Sequence, residues 1–537
     1  MDAKLQKNLL RIFIRTVLCT FREKAVKFKM EYEPILEGYI SVVSLIKDIT
    51  PFISEKYSFS EEEIKNSLLK YIDYLRDNLW VYVEYPYVDK VYRDSYYNYF
   101  SSKHLTYPRN SIRLSFFDGK IEKENFRRKE LVSELNEKYL GFIVIRPTLP
   151  NIVGRSMISP KALKKSNFLC CIVKINALVN GVKLDCFSFP HASQDKETLT
   201  CAETSIWSVM EYFGNKYSEY KPVLPSQIIT TLSKTASQRL LPSEGLNIYQ
   251  ISLALKEYGF GTMIYSSDVY EPIEFKRIFN YYIESGIPII ANLKNNSIGH
   301  AVVFIGHENY EYRELNDITT SYSLPNSNGQ IDIIDFADIS KKYVIIDDNY
   351  PPYQMSTFES PSSYYQDTKL KDLKITNFVV PLYQKTYLEA SKAQKLVLSV
   401  LKNNYIGYNV LNTFKNGKDH LLLRLFLTSS RSFKSNVLLN SLMSEKLKDI
   451  LLLSPMPKFI WVAELSNKSL YSQKKAFGYI IVDATGNNSM DSVNLIVYPE
   501  KLVIIDKRRN YNFIEVNHGS FSIYLHNLKG EWCKWKT

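Results

Sequence analysis

With 537 residues the chain is too long for a single hydrophobic core, and a domain size of roughly 150 residues points to about three units. Its 45% hydrophobic and 23% charged residues are the balance of a folded globular protein and exclude the disordered and collagen-like classes. The formal charge of +12, from 68 Lys+Arg against 56 Asp+Glu, is spread along the chain. Its densest basic clusters (Arg127, Arg128, Lys129 and Lys507, Arg508, Arg509) are three residues each, so charge gives little support for a nucleic-acid partner.

Residues 9–19 are apolar but interrupted by Arg11 and Arg15, which predicts an amphipathic helix and not a signal peptide. No uncharged apolar run of about 18 residues occurs, so no transmembrane segment is expected. The span 1–78 keeps helical periodicity, with Ser60 and the following Glu61, Glu62 and Glu63 as a helix start, and is expected to be a helical N-terminal region. The span 79–188 turns strand-rich at 80–88, 111–117, 139–145 and 169–179, and Asn180-Gly181 between two apolar runs predicts a hairpin.

From 189 onward helices come first and strands later. A helix headed by Cys201 is followed by one opened by Pro225 and Ser226, one over 247–258 stopped by Gly259, and one over 275–284 ending at Gly286. Strands are expected at 288–292, 300–306 and 343–347, with the polar stretch 308–341 as an insertion, which gives a domain of 189–384. Residues 385–537 pair helical stretches with strands at 459–465, 478–483, 493–498 and 502–506, a C-terminal α/β domain. The expected fold class is therefore α+β: helices packed on an antiparallel sheet, flanked by a helical and β-rich N-terminal region and an α/β C-terminal domain.

A cysteine becomes a nucleophile when it is partly exposed and its thiolate is stabilised, which a helix start does through unpaired N–H groups and the positive dipole end. Thr200 and Glu203 have capping-box spacing, making Thr200 the N-cap and Cys201 the first helical residue, while Ala202, Ile206, Val209, Met210 and Phe213 form a buried face and Gly214 a stop. Cys170, Cys171 and Cys186 fall in expected strands, and Cys19 and Cys533 lie near the termini. The six cysteines show neither a CxxC pair nor dense even spacing, which fits a reducing compartment. Downstream, Gly299-His300 opens an apolar strand, and the strand 343–346 ends in Asp347 and Asp348. A carboxylate there can accept the second N–H of His300 and fix its tautomer, the third-member role of a triad. Asp347 is expected in that role and Asp348 is the alternative; the same Asp-Asp-Asn run is also turn chemistry.

Thr200-Cys201-Ala202-Glu203-Thr204-Ser205 heading a helix, Gly245-Leu246, Tyr258-Gly259-Phe260, Ser285-Gly286-Ile287-Pro288, Gly299-His300-Ala301-Val302-Val303 and Val344-Ile345-Ile346-Asp347, in this order, resemble the papain-like cysteine peptidases, closest to the bacteriocin-processing, double-glycine branch. The resemblance covers 189–353 and implies a thiol-dependent hydrolase of a peptide or protein substrate. Cys201 would be the nucleophile, His300 the base and Asp347 its orienting partner. It also implies an oxyanion-hole glutamine, matched by Gln194 one position further from the cysteine than the family's spacing, and Ala202 stands where that branch has glycine. Deamidation or acyl transfer would use the same parts. A non-catalytic scaffold binding a protein or nucleic acid is the alternative of a different class, and the flanking domains are candidate surfaces for a protein partner.

No metal or cofactor is expected: His307 has no zinc-type spacing around it, and no GxxxxGK[ST] phosphate loop occurs. Trp461, Glu464 and Asp483 on adjacent strands fit either a binding surface or, more simply, core and turn roles.

Overall fold

The computed structural model describes residues 39–149, 151–235, 240–242, 245–309, 320–326, 329–403, 407, 410–411, 420–486, 490–505, 510–516 and 518–530. The expected helix at 9–19, Cys19, the basic trio at 507–509 and Cys533 lie outside them. The chain is mixed α+β with several sheets and forms two compact units. The described residues of Met1–Ser156 and Asn176–Cys186 make one, and those of Met157–Ile175 and Phe187–Thr537 the other.

In the first unit, β1 (Tyr39–Ser41) leads into α1 (Val42–Tyr57), which buries Val42, Leu45, Ile49 and Ile53 at three- and four-residue spacing. The helix α2 (Glu61–Ile72) starts as its sequence predicts. Ser60 Oγ accepts from the Glu63 amide at 3.3 Å and the Glu63 carboxylate accepts from the Ser60 amide at 3.1 Å. Strands β2 (Leu79–Tyr87), β3 (Ser111–Asp118), β4 (Tyr139–Ile145) and β5 (Val153–Ile158) complete a five-stranded sheet in the order β1-β2-β3-β4-β5. The chain passes through β6 (Phe168–Cys170), which belongs to the second unit, and returns in the hairpin of β7 (Val173–Val179) and β8 (Val182–Ser188). Asn180 and Gly181 turn that hairpin with φ of 45° and 79°, the two positive values an Asn-Gly turn supplies.

The second unit contains α3 (Cys201–Lys216), β9 (Phe260–Ser266), α4 (Pro272–Glu284), β10 (Ile289–Lys294), β11 (Gly299–Glu308), β12 (Tyr322–Asn326), β13 (Gly329–Asp335), β14 (Lys342–Ile346), β15 (Gln354–Thr357) and β16 (Lys374–Tyr383). One antiparallel sheet runs β15-β14-β11-β10-β16-β9, with β6 also pairing with β11. The segment 157–175, expected within the β-rich span, thus builds on the sheet of the second unit. Gly306 makes this possible, because a Cβ there would lie 1.9 Å from Leu169 O.

After α5 (Ala390–Lys402) come β17 (Leu421–Ser429), β18 (Phe459–Asn467), the short β19 (Lys475–Ala476), β20 (Gly478–Asp483), β21 (Val493–Tyr498), β22 (Lys501–Ile505) and β23 (Tyr511–Glu515). The second large sheet runs β12-β13-β17-β18-β20-β21-β22-β23. Its first two strands come from the segment read as an insertion: β13 pairs in parallel with β17, Ile334 opposite Leu422. One core spans both sheets, because α4 offers Phe275 and Phe279 to Phe378 of one and Tyr282 to Trp461 of the other.

Trp461 is fully buried with its indole N–H donating to Leu388 O at 2.8 Å, Glu464 is buried against Arg424 at 3.0 Å, and Asp483 accepts from the Thr485 amide at 2.7 Å. These three are core and turn residues. No helix among the described residues is long and apolar enough to cross a membrane.

Candidate active site

Cys201 is the first residue of α3, behind an extended Thr200. The hydroxyl of Thr200 donates to the Glu203 carboxylate and does not accept from the Glu203 amide, so the reciprocal box the spacing suggests does not form. Glu203 is fully buried, and a buried carboxylate takes the nearest donor. The helix also does not stop at Gly214 but continues to Lys216; the glycine is needed because a Cβ there would meet Pro222 at 2.5 Å. The strand β11 lies under α3.

His300 is the second residue of β11, and Asp347 follows the last residue of β14. These strands run antiparallel with Val303 opposite Ile346, so the beginning of one lies beside the end of the other. That register brings His300 Nε2 within 3.0 Å of Asp347 Oδ1. The other ring nitrogen, Nδ1, is left for the Cys201 thiol, which reaches His300 as a hydrogen-bond partner and as a charge. Cys201, His300 and Asp347 are thus brought together from three elements, with the thiol half-buried, His300 5% exposed and Asp347 fully buried.

Asp347 is surrounded by donors. Its Oδ1 also accepts from the Asn349 amide at 2.9 Å, and its Oδ2 accepts from the hydroxyls of Tyr364 at 2.6 Å and Tyr365 at 2.7 Å. Tyr365 Oη lies 3.2 Å from His300 Nε2 and accepts from Asn349 Nδ2 at 3.1 Å. Gln194 joins through its amide, Nε2 donating to Asn349 Oδ1 at 2.7 Å. Behind this layer, buried His191 is 3.1 Å from Asp347 O and 3.0 Å from Tyr350 O through Nε2. Both partners are carbonyls, so Nε2 carries the proton and fastens the loop after β14 to the segment leading into α3.

Burial acts to lower the His300 pKa, yet the charge and hydrogen bond of Asp347, with Cys201, hold it well above the ordinary histidine value. Burial acts to raise Asp347, but the opposing His300 charge and the donors around the carboxylate bring it to about 2. Asp348 is different. Burial, with Asp347 beside it, pushes it up to about 7 against the pull of His300. Its Oδ1 is 3.8 Å from His300 Nε2, and neither of its carboxylate oxygens has a well-formed hydrogen bond, its own backbone N–H being the one donor that acts on it. The other described thiols of this unit have no such surroundings: Cys170 and Cys171 are buried, burial pushing the first well above its ordinary value and the second to about 11.

Sequence reasoning missed Tyr364, Tyr365, Asn349 and His191. Asn349 was visible only as the third residue of the Asp-Asp-Asn run. The two tyrosines are among 40 in the chain and sit in an irregular segment with no periodicity to mark them. No protein-family model matches this chain, and no curated protein matches it closely.

Proposed function

We propose that the chain is a thiol-dependent hydrolase of peptide or protein substrates, built on a papain-like arrangement of a cysteine-headed helix and an antiparallel sheet. The observation behind this is the Cys201–His300–Asp347 line, with His300 Nε2 on buried Asp347 and the same ring hydrogen-bonded to a partly exposed thiol at a helix start, which leaves Nδ1 to serve that thiol. His300 takes the thiol proton, Cys201 Sγ attacks the substrate carbonyl, and His300 returns the proton to the leaving amine, giving a thioester. Water then gives a proton to His300 and attacks the thioester; the acid leaves and Cys201 regains its proton. The oxyanion would be met by the Cys201 backbone N–H at the positive helix end, and the Gln194 amide, which gives one N–H to Asn349 Oδ1, would supply the second donor through its other N–H.

A reducing, cytoplasmic setting is part of the same proposal, since Cys170, Cys171, Cys186 and Cys201 are all free thiols. The test is a labelled-peptide library incubated with the protein and with Cys201→Ala. Cleavage that is lost in the variant supports a hydrolase; amide-to-acid conversion without chain cleavage would point to deamidation. A chain that modifies nothing and leaves Cys201 unreactive is a binding scaffold.

A further inference from the structure

We propose that His300, Asp347 and Asp348 also form a binding site for a divalent transition cation of the Zn2+ class, whose occupancy takes His300 out of service as a base. The site stands on three ligand atoms that lie within 4.8 Å of one another, on buried residues, and comprise one imidazole and two carboxylates. Tetrahedral zinc with bonds of roughly 2.0–2.1 Å needs neighbouring ligand atoms about 3.3 Å apart. His300 Nε2 is 3.0 Å from Asp347 Oδ1 and 3.8 Å from Asp348 Oδ1, so these two edges need a few tenths of an ångström of adjustment, and the third, between the carboxylates, lies within 4.8 Å.

The independent observation is Asp348. It is 4% exposed, neither of its oxygens has a well-formed hydrogen bond, its own backbone N–H being the one donor that acts on it, and the nearest cationic group is the same imidazole nitrogen. A buried carboxylate so poorly provided with donors is expensive to keep, and a cation would satisfy it. The surroundings suit metal ligation as well: Tyr364, Tyr365 and the Asn349 amide hold Asp347, and His191 fixes the backbone carbonyl of the same residue. Two carboxylates and a neutral imidazole leave a divalent ion with no net charge to bury.

The consequence for chemistry follows from proton accounting on the ring. A metal takes the Nε2 lone pair, so the single proton of a neutral imidazole must sit on Nδ1, the nitrogen that the Asp347 contact leaves to serve Cys201. From the thiolate–imidazolium state one proton leaves Nε2 for solvent, and the thiolate, having lost the imidazolium charge beside it, takes one from solvent; from the thiol–imidazole state the ring proton moves to Nδ1. Either way His300 cannot accept the proton of a neutral thiol. This switching effect rests on the catalytic reading of Cys201; the cation site does not.

The experiment dialyses metal-free full-length protein against buffered Zn2+ and measures zinc per chain for the wild type, Cys201→Ala and Asp348→Asn. In parallel, the rate of iodoacetamide labelling at Cys201 is followed with and without Zn2+. About one Zn2+ is expected in the wild type and in Cys201→Ala, with affinity at least about tenfold weaker in Asp348→Asn. Zn2+ should slow labelling by about tenfold or more in the wild type and not in Asp348→Asn. Co2+ in the wild type gives a readout that does not depend on that variant folding: visible bands of nitrogen and oxygen ligation, without a thiolate charge-transfer band, unchanged in Cys201→Ala. No zinc in the wild type, equal affinity in a folded Asp348→Asn, or a thiolate band lost in Cys201→Ala would overturn the site. Zinc bound as expected to a chain whose metal-free Cys201 is inert would keep the cation site and remove the hydrolase.

Discussion

His300 Nε2 lies 3.0 Å from Asp347 Oδ1, and the opposite oxygen of that carboxylate is closed by the hydroxyls of Tyr364 and Tyr365. Four donors on one buried carboxylate keep it ionised, and an ionised Asp347 is what holds the proton on His300. Replacing it by the isosteric Asp347→Asn preserves shape but removes the charge. Turnover, or failing a substrate the labelling rate of Cys201, should fall by about 10²- to 10⁴-fold, as for other orienting carboxylates. Loss of less than about threefold would mean that Asp347 does not serve His300.

Tyr365→Phe removes one of these donors and leaves the ring. A hydrogen bond to a charged acceptor contributes about 1.5–3 kcal/mol, so the Asp347 carboxyl should titrate higher and the acid limb of the reactivity profile should move up by about one to two pH units. Tyr364→Phe should do the same to a similar degree, because it donates to the same oxygen. A pH profile of Cys201 labelling for both variants measures this.

The pair also sets a stability window. Asp347 is held near 2 against an ordinary 3.8, so its stabilisation is present above about pH 4 and is lost as pH falls toward 2. His300 is raised above 6.5, so its contribution is present below that value and is lost as pH climbs through the folded pKa. The difference in thermal stability between the wild type and Asp347→Asn should therefore be greatest from about pH 4 to 6.5 and shrink on both sides. Thermal unfolding in steps between pH 2 and 9 would reveal the shape.

Away from the thiol, Glu284 at the end of α4 meets His307 at 2.8 Å and Arg424 at 3.1 Å, with Arg424 also 3.0 Å from Glu464. Burial acts to raise Glu284, but His307, Arg424 and Lys341 hold it below the usual carboxylate range, so it stays ionised. Glu284→Gln removes the carboxylate that His307, Arg424 and Lys341 share and should cost about 3–5 kcal/mol, a drop of roughly 4–6 °C in the unfolding midpoint of a unit this large. Gly306→Ala should be as severe for a different reason, its methyl group meeting the Leu169 carbonyl between paired strands. Midpoints within about 2 °C of the wild type would contradict either account.

The residues legible in the sequence were those at the ends of strongly patterned elements. Cys201 heads a helix with an apolar face, Gly299-His300 opens an apolar strand and Asp347 closes another, so each position was fixed by the element behind it. Gly214 misled because helix propensity, about 1 kcal/mol against glycine, is a local quantity and the space needed by Pro222 is not. The parallel pairing of β13 with β17 joins residues nearly ninety apart, and no short-range pattern in a polar stretch announces it. Tyr364, Tyr365 and His191 act through side-chain reach across irregular backbone, where periodicity carries no information.

The most direct measurement is the rate of iodoacetamide labelling at each cysteine against pH, resolved by peptide mass spectrometry, in the metal-free wild type and in His300→Ala. Fast labelling of Cys201 is expected, slowed markedly by the substitution, while buried Cys170 and Cys171 stay unreactive. Labelling of Cys201 at the rate of an ordinary exposed thiol, and indifferent to His300, would contradict it.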